Sequence, residues 1–274
     1  MKKVKSIGVS SFRFAPFGVR NLKQYACIII VFPFLFFLFN ACASKQYVIK
    51  SANGYLVEMN SRFDSAADSG MASLVHFYKT GLDVKMNEII GKSAQTLAKS
   101  GQQNLLANFT ADAMQEYAAG LWGAVDFAVI NFGGLRTTLN KGTVTVGNLY
   151  EIYAFENHLV LLDLPGQAVK QLFDDFVQKK MNGFSKNVRL TIKNKAVESL
   201  TIHGKPLDEK AVYRVVTVDY LAEGNGGMTA LTQATHYTDS NIILRDAMIE
   251  YVRKLTSENS TIHAQKDNRI EIEE

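Results

Sequence analysis

The stretch from Val125 to Phe132, VDFAVINF, is apolar at every position except Asp126 and Asn131. A β-strand turns successive side chains to opposite faces of its sheet, so a run of this kind reads as a strand covered on both faces. Such a strand has to be enclosed by further apolar layers. The chain has the material for them, because 274 residues with 47% hydrophobic content can bury the core of one large or two small domains. Only four prolines and 20% charged residues exclude a disordered or collagen-like polypeptide.

The flanking sequence supplies the layers. Leu105, Leu106, Phe109, Ala113, Met114, Tyr117 and Leu121 recur at helical spacing, which predicts an amphipathic helix over 104–121. Leu159 to Leu164 reads as a short buried strand, after which Pro165 and Gly166 open a helix lined by Val169, Leu172, Phe173, Phe176 and Val177. Val188, Leu190 and Ile192 alternate with polar residues ahead of a hairpin around Asn194. A strand follows over Tyr213–Tyr220, YRVVTVDY, and a final helix over Asn241–Leu255. Upstream, a weaker helical pattern covers Asp64 to Leu82, ending at Gly81, and Asp83 to Leu97 reads as a strand. These elements predict a mixed α/β (α+β) fold, with sheets flanked by helices, in one domain over residues 61–274.

The first 41 residues are of another kind. They hold six of the 30 Lys and Arg residues and none of the 26 Asp and Glu, which leaves 24 basic against 26 acidic residues in the remainder. That near-neutral body gives no electrostatic reason to expect a nucleic-acid partner. The basic lead runs into the apolar segment Ala26–Phe39, the pattern of a targeting signal. Fourteen helical residues reach about 21 Å, short of the roughly 30 Å of a hydrocarbon core. FNACAS resembles a bacterial lipobox, with Cys42 as the lipid-modified residue after cleavage behind Ala41, although Phe39 and Asn40 match it imperfectly. The expected organisation is therefore a lipoprotein signal peptide over 1–41, a tether over 42–60 and a folded domain beyond, anchored by lipid to the cell envelope on its periplasmic side. Ordinary cleavage after Ala41 or Ala43 is the alternative, and either way the folded body contains neither a disulfide nor a thiol nucleophile.

Catalytic signatures are missing. The five histidines (His76, His158, His203, His236 and His263) stand singly, without metal-ligand spacing, and there is no nucleophile elbow, P-loop or dinucleotide fingerprint. No catalytic residue, metal ligand or cofactor is assigned to this chain. What stands out instead is three strand-to-loop junctions. In INFGGLR, Asn131 and Arg136 flank Gly133 and Gly134, whose missing side chains allow a sharp turn and close approach of a ligand, while the Arg136 fork can grip an anionic or polyhydroxyl group. In YAFEN, Phe155 precedes the strand near Leu159. In DYLAEGNGGM, Tyr220 precedes a glycine-rich loop. Taken singly, these read as a plain turn with a surface charge, a core phenylalanine and a tyrosine capping the core edge.

In combination, the order NxGGhR, hxFxN, strand, glycine-opened helix, hairpin and DYLAxG resembles the C-terminal domain of 5′-nucleotidases over about residues 83–232. NLLANFTADAMQEY resembles the helix that precedes NxGGhR in that family. The resemblance implies that Phe155 and Tyr220 sandwich a nucleobase, with Asn131, Gly133, Gly134 and Arg136 bordering the pocket, so that the ligand is a nucleotide or nucleoside. Two departures accompany it. The family's ribose-binding Asp falls at Gly226, which leaves ribose recognition weakened or moved to Asn225, and the family's Arg before the helix falls among Lys99, Ser100 and Gly101. The family's N-terminal domain, with its two metals, has no counterpart upstream of residue 83. The resemblance thus implies the nucleotide-binding half of a split enzyme, with divalent metals on a separate metallophosphoesterase subunit. A non-catalytic nucleoside- or nucleotide-binding lipoprotein is the alternative.

Overall fold

The computed structural model describes residues 48–66, 68–99, 104–179 and 182–273. The expected signal segment 1–41 and the lipid-bearing Cys42 lie outside the described residues. The chain divides into two units, Met1–Ser65 and Ala66–Glu274. In the first, residues 48–60 have no regular structure and a 3₁₀ turn begins at Ser61. Among the described residues no helix is long and apolar enough to cross a membrane.

The second unit begins with α1 (Ser69–Met86) and β1 (Ile89–Ser93), followed by α2 (Leu105–Trp122) and β2 (Phe127–Asn131). Next come β3 (Gly142–Thr145), α3 (Val146–Ile152), β4 (His158–Pro165), α4 (Gly166–Lys179) and β5 (Asn182–Phe184). The hairpin strands β6 (Val188–Lys193) and β7 (Ala196–Ile202) lead to β8 (Lys205–Pro206), β9 (Val212–Val218) and the single turn α5 (Asp219–Ala222). The chain then runs through β10 (His236–Ile243), α6 (Leu244–Ser257) and β11 (Ile270–Glu273).

The central sheet has five strands in the order β10-β4-β9-β2-β5. β9 and β2 are parallel, pairing Phe127 with Val215 and Ala128 with Val216, and every other neighbour is antiparallel. Phe127, Ala128, Val129 and Ile130 are all buried, so both faces of β2 are covered, as its sequence requires. Phe127 meets Phe173 of α4, which stacks 4.5 Å from Phe184 of β5. α2 packs against β2, β5 and β9. Its N-terminus is capped by the Asn104 side chain, which accepts from Ala107 N, and it is buried around most of its girth. A four-stranded sheet, β11-β6-β7-β8, stands beside the central one, and its β6–β7 turn places Asn194 and Lys195 at positive φ, as a tight two-residue hairpin needs.

Several boundaries differ from the sequence reading. α1 continues through Gly81 to Met86, so the expected strand from Asp83 shrinks to Ile89–Ser93. A glycine at an exposed helical position costs only about 1 kcal/mol, and the Asp68 cap on Met71 N holds the other end of this helix. The strand expected to reach Tyr220 stops at Val218, because Asp219 accepts from Tyr220 N at 2.6 Å and starts the turn of α5. The final helix starts at Leu244 rather than Asn241, whose φ of 56° lies in a bulge of β10. The single Pro165 ends β4 and Gly166 begins α4.

One polar cluster ties distant parts together. The guanidinium of Arg269, whose side chain is 3% exposed, donates to both carboxylate oxygens of Asp112 in α2, to both of Asp267 and to the carbonyl of Phe184. Burial alone would raise the Asp267 carboxyl, but hydrogen bonds and charge from Arg269, with the charge of Arg189, hold it below its ordinary range. Arg269→Met removes the shared partner of two carboxylates and is expected to cost about 3 kcal/mol in urea unfolding. A folded-state value below the unfolded one gives stability that is complete above about pH 4 and is lost as the pH falls through the folded value. The stability difference between wild type and Asp267→Asn should accordingly narrow below about pH 4.

Candidate functional site

The three loops singled out by sequence leave the central sheet at one end. β2 and β9 are parallel neighbours, so Asn131 at the end of β2 and Tyr220, two residues past β9, emerge side by side. β4 runs antiparallel to β9, with Leu159 opposite Val218, which returns the beginning of β4 and the preceding loop with Phe155 to the same end. Ligands in open α/β sheets bind at such a position, outside the carboxyl ends of parallel strands.

There a cleft of about 300 Å³ is lined by Asn131, Gly133, Gly134, Arg136, Phe155, Asn157 and Tyr220. All six substrate-binding residues expected from sequence meet in it. Phe155 is 49% and Tyr220 44% exposed, so neither ring is a core side chain. The Arg136 guanidinium lies 5.7 Å from the Phe155 ring centroid, within cation–π range, and its Nη1 reaches the Gly133 carbonyl at 3.4 Å. Arg136 N donates to the Ile152 carbonyl at 2.9 Å, which joins the GGLR loop to the segment that carries Phe155. The wall is anchored below by Tyr153, buried, with its hydroxyl 2.9 Å from Thr110 Oγ1 of α2 and its ionisation pushed up by burial.

Asn157 was not singled out by sequence, although it closes the YAFEN motif; its carbonyl accepts from Leu244 N at 2.8 Å. Its legible signal was the asparagine of hxFxN itself. Asn225 does not line the cleft and its amide lies 3.4 Å from Glu223 Oε2. Lys99 is not a lining residue either, and Ser100 and Gly101 lie outside the described residues. Gly226 adopts φ 64°, and a Cβ there would stand 3.2 Å from Leu221 Cδ2, 3.6 Å from Asn131 Nδ2 and 3.9 Å from Tyr220 Cε1, so this position borders the cleft. The lining thus offers two aromatic faces, two amides, one guanidinium and no carboxylate, a set suited to a flat ring that carries an anionic group. Among the described residues no group of three His, Cys, Asp or Glu could hold a metal ion.

Phe155 and Tyr220 thus line one cleft at the end of a mixed α/β sheet. Residues 85–233 match the 5′-nucleotidase C-terminal domain family, more than half of the chain, and the protein belongs to that family. Among curated proteins it is 29% identical over 181 residues to Protein UshA of Yersinia enterocolitica, which covers 64% of this chain and 32% of the relative. It is 28% identical over 200 residues to the trifunctional nucleotide phosphoesterase protein YfkN of Bacillus subtilis, covering 65% and 14%. The chain thus spans a third or less of these relatives' length. Its fold is similar to that of part of the 5′-nucleotidase precursor from Thermus thermophilus (TM-score 0.64, 23% identity, 73% of this chain and 42% of that one). It is likewise similar to part of the NAD nucleotidase from Haemophilus influenzae (TM-score 0.59, 19% identity, 75% and 41%).

The glycine pair yields a test of the site's construction. A Cβ on Gly134 would lie 2.8 Å from Asn131 Oδ1, whereas one on Gly133 would be in ordinary contact at 3.4 Å. Gly134→Ala should displace the Asn131 amide, read as a shift of its side-chain NMR signals, and lower stability by less than about 1 kcal/mol, because the obstructing atom is a rotatable one. Gly133→Ala should leave those signals in place.

Proposed function

We propose that this chain is the nucleotide-binding, substrate-selecting half of a split 5′-nucleotidase, acting in nucleotide breakdown beside a separately made metallophosphoesterase subunit. The observation that carries the reading is the pair of half-exposed rings, Phe155 and Tyr220, on one cleft with Asn131, Asn157 and Arg136. The base stacks between the rings, the amides bond its edge or the sugar, and Arg136 faces the anionic end. Each stacked face contributes about 1–3 kcal/mol and tolerates any base. By fixing the phosphate ester relative to the partner's metals, this half would contribute positioning, and hydrolysis would occur on the partner.

Two further features support a partner and an envelope location. α1 presents Met71, Leu74, Val75, Tyr78 and Leu82, spaced along a helical stripe, to solvent. Exposed apolar surface of this kind marks contact sites. The basic lead, apolar run and lipobox-like FNACAS support a position on the periplasmic side of a bacterial envelope, with tethering through a lipidated Cys42. A capture lipoprotein without catalytic partner is the second reading, favoured by Gly226, which leaves the cleft without the carboxylate that would grip ribose hydroxyls. The two part on whether mixing the chain with a metallophosphoesterase raises phosphate release from AMP.

Calorimetric titration of AMP and adenosine should show saturable binding. Phe155→Ala or Tyr220→Ala should weaken it by about 1–3 kcal/mol each, with little change in melting temperature because both rings are half-exposed. Unaltered binding by both variants would overturn the reading. Gly226→Asp brings a carboxylate near Asn131 and Tyr220 on a left-handed backbone that Asp visits more readily than most residues, with Leu221 Cδ2, 3.2 Å from the new Cβ, giving way by a few tenths of an ångström. It should raise the preference for adenosine over 2′-deoxyadenosine by about tenfold, as a charged hydrogen bond to a hydroxyl does.

A further inference from the structure

The wall that carries Phe155 is a five-residue connection between α3 and β4, and an exposed aromatic ring on such a loop needs a brace. Arg245, in the first turn of α6, stands directly behind it. Its guanidinium stacks 4.1 Å from the Tyr150 ring centroid, donates from Nη1 to the Tyr153 carbonyl at 3.3 Å and lies 3.7 Å from Glu156 Oε1. One residue earlier, Leu244 N bonds the Asn157 carbonyl. The beginning of α6 thus grips residues 150, 153, 156 and 157, while Phe155 points the other way, into the cleft, against Arg136.

The electrostatics of this arginine are poor for a merely stabilising residue. Its side chain is 7% exposed, and its Nε makes no hydrogen bond among the described residues, with Asp246 Oδ1 4.0 Å away. Glu156, its other carboxylate, is largely in water. A cation in the first turn of a helix also opposes the helix dipole. A buried, loosely paired charge detracts from stability relative to an apolar side chain of similar volume. What Arg245 does accomplish is to hold the start of the aromatic loop, stacking on Tyr150 and bonding the Tyr153 carbonyl, while the neighbouring Leu244 N holds its end at Asn157.

We infer that Arg245 is the positioning residue of the cleft: it makes no contact with ligand but preorganises the Phe155 wall, so that the ring is in place before a ligand arrives. The ligand arm of the test rests on the nucleotide-binding reading, whereas the exchange arm does not. In the full chain, without ligand, Arg245→Met should accelerate amide exchange at residues 153–157 and leave the β4–β9 amides protected. It should also weaken AMP binding by about tenfold, the cost of ordering a loop on binding. Arg245→Lys, which keeps the charge and the contact with Tyr150, should recover part of both effects. In a Phe155→Ala background, Arg245→Met should no longer change AMP affinity, because the ring through which it acts is gone. Unchanged exchange at 153–157, or an affinity loss that persists undiminished in the Phe155→Ala background, would overturn the inference. Should the Met variant unfold, the β4–β9 amides will report it and the Lys variant carries the comparison. If wild type binds no AMP at millimolar concentration, the nucleotide reading fails while the exchange result still decides the role of Arg245.

Discussion

Everything at the site follows from the parallel pairing of β2 with β9. Their hydrogen bonds, reinforced by Thr217 Oγ1 donating to the Val129 carbonyl at 3.0 Å, align two strands 88 residues apart in sequence so that both end on the same side. The pair is stable there only because both faces are covered, by α2 and by the Phe127–Phe173–Phe184 stack among others. Antiparallel β4 then delivers its entering loop, and β10 its departing end, to the same edge. Three connections that share no sequence proximity are brought within reach of one small ligand, and the end of β10 lies beside them.

Buried arginines play contrasting parts in this scaffold. Arg269 is matched by two carboxylates and a carbonyl, which satisfies its donors and lets charge serve cohesion. Arg245 is underpaired, and its geometry is explicable by what it holds rather than by what holds it. The clasp sits beside the secondary sheet and the brace sits beneath the cleft. Cohesion and precision are thereby assigned to different residues of one chemical type.

Much of this was legible beforehand, for physical reasons. α2, β2, β4, α4 and the β6–β7 hairpin have apolar patterns long enough to declare their period, and they appear within a residue or two of expectation. β5, β8 and β11 have two to four residues each, too few to show a period, and β10 is half-buried and polar, His236 to Asn241 giving little alternation. The ends of β9 and α6 were misjudged because apolar character continues across both junctions, and the break is made by a local hydrogen bond at Asp219 and a left-handed Asn241. The six cleft residues were readable because close-approach glycines, exposed aromatics and an arginine keep a recognisable order along the chain. Asn157 was passed over although the hxFxN motif contains it, and Arg245 carried no signal of its own, being an arginine inside a helical apolar stripe.

The clasp between Asp112 and Arg269 spans 157 residues of sequence. During synthesis, α2 leaves the ribosome long before the residues that neutralise its carboxylate exist, and β2 waits 88 residues for the strand that becomes its parallel neighbour. A topology dominated by such remote pairings folds slowly, since loop closure precedes any gain from contact. The central sheet consequently cannot close until β9, late in the chain, is available to pair with β2.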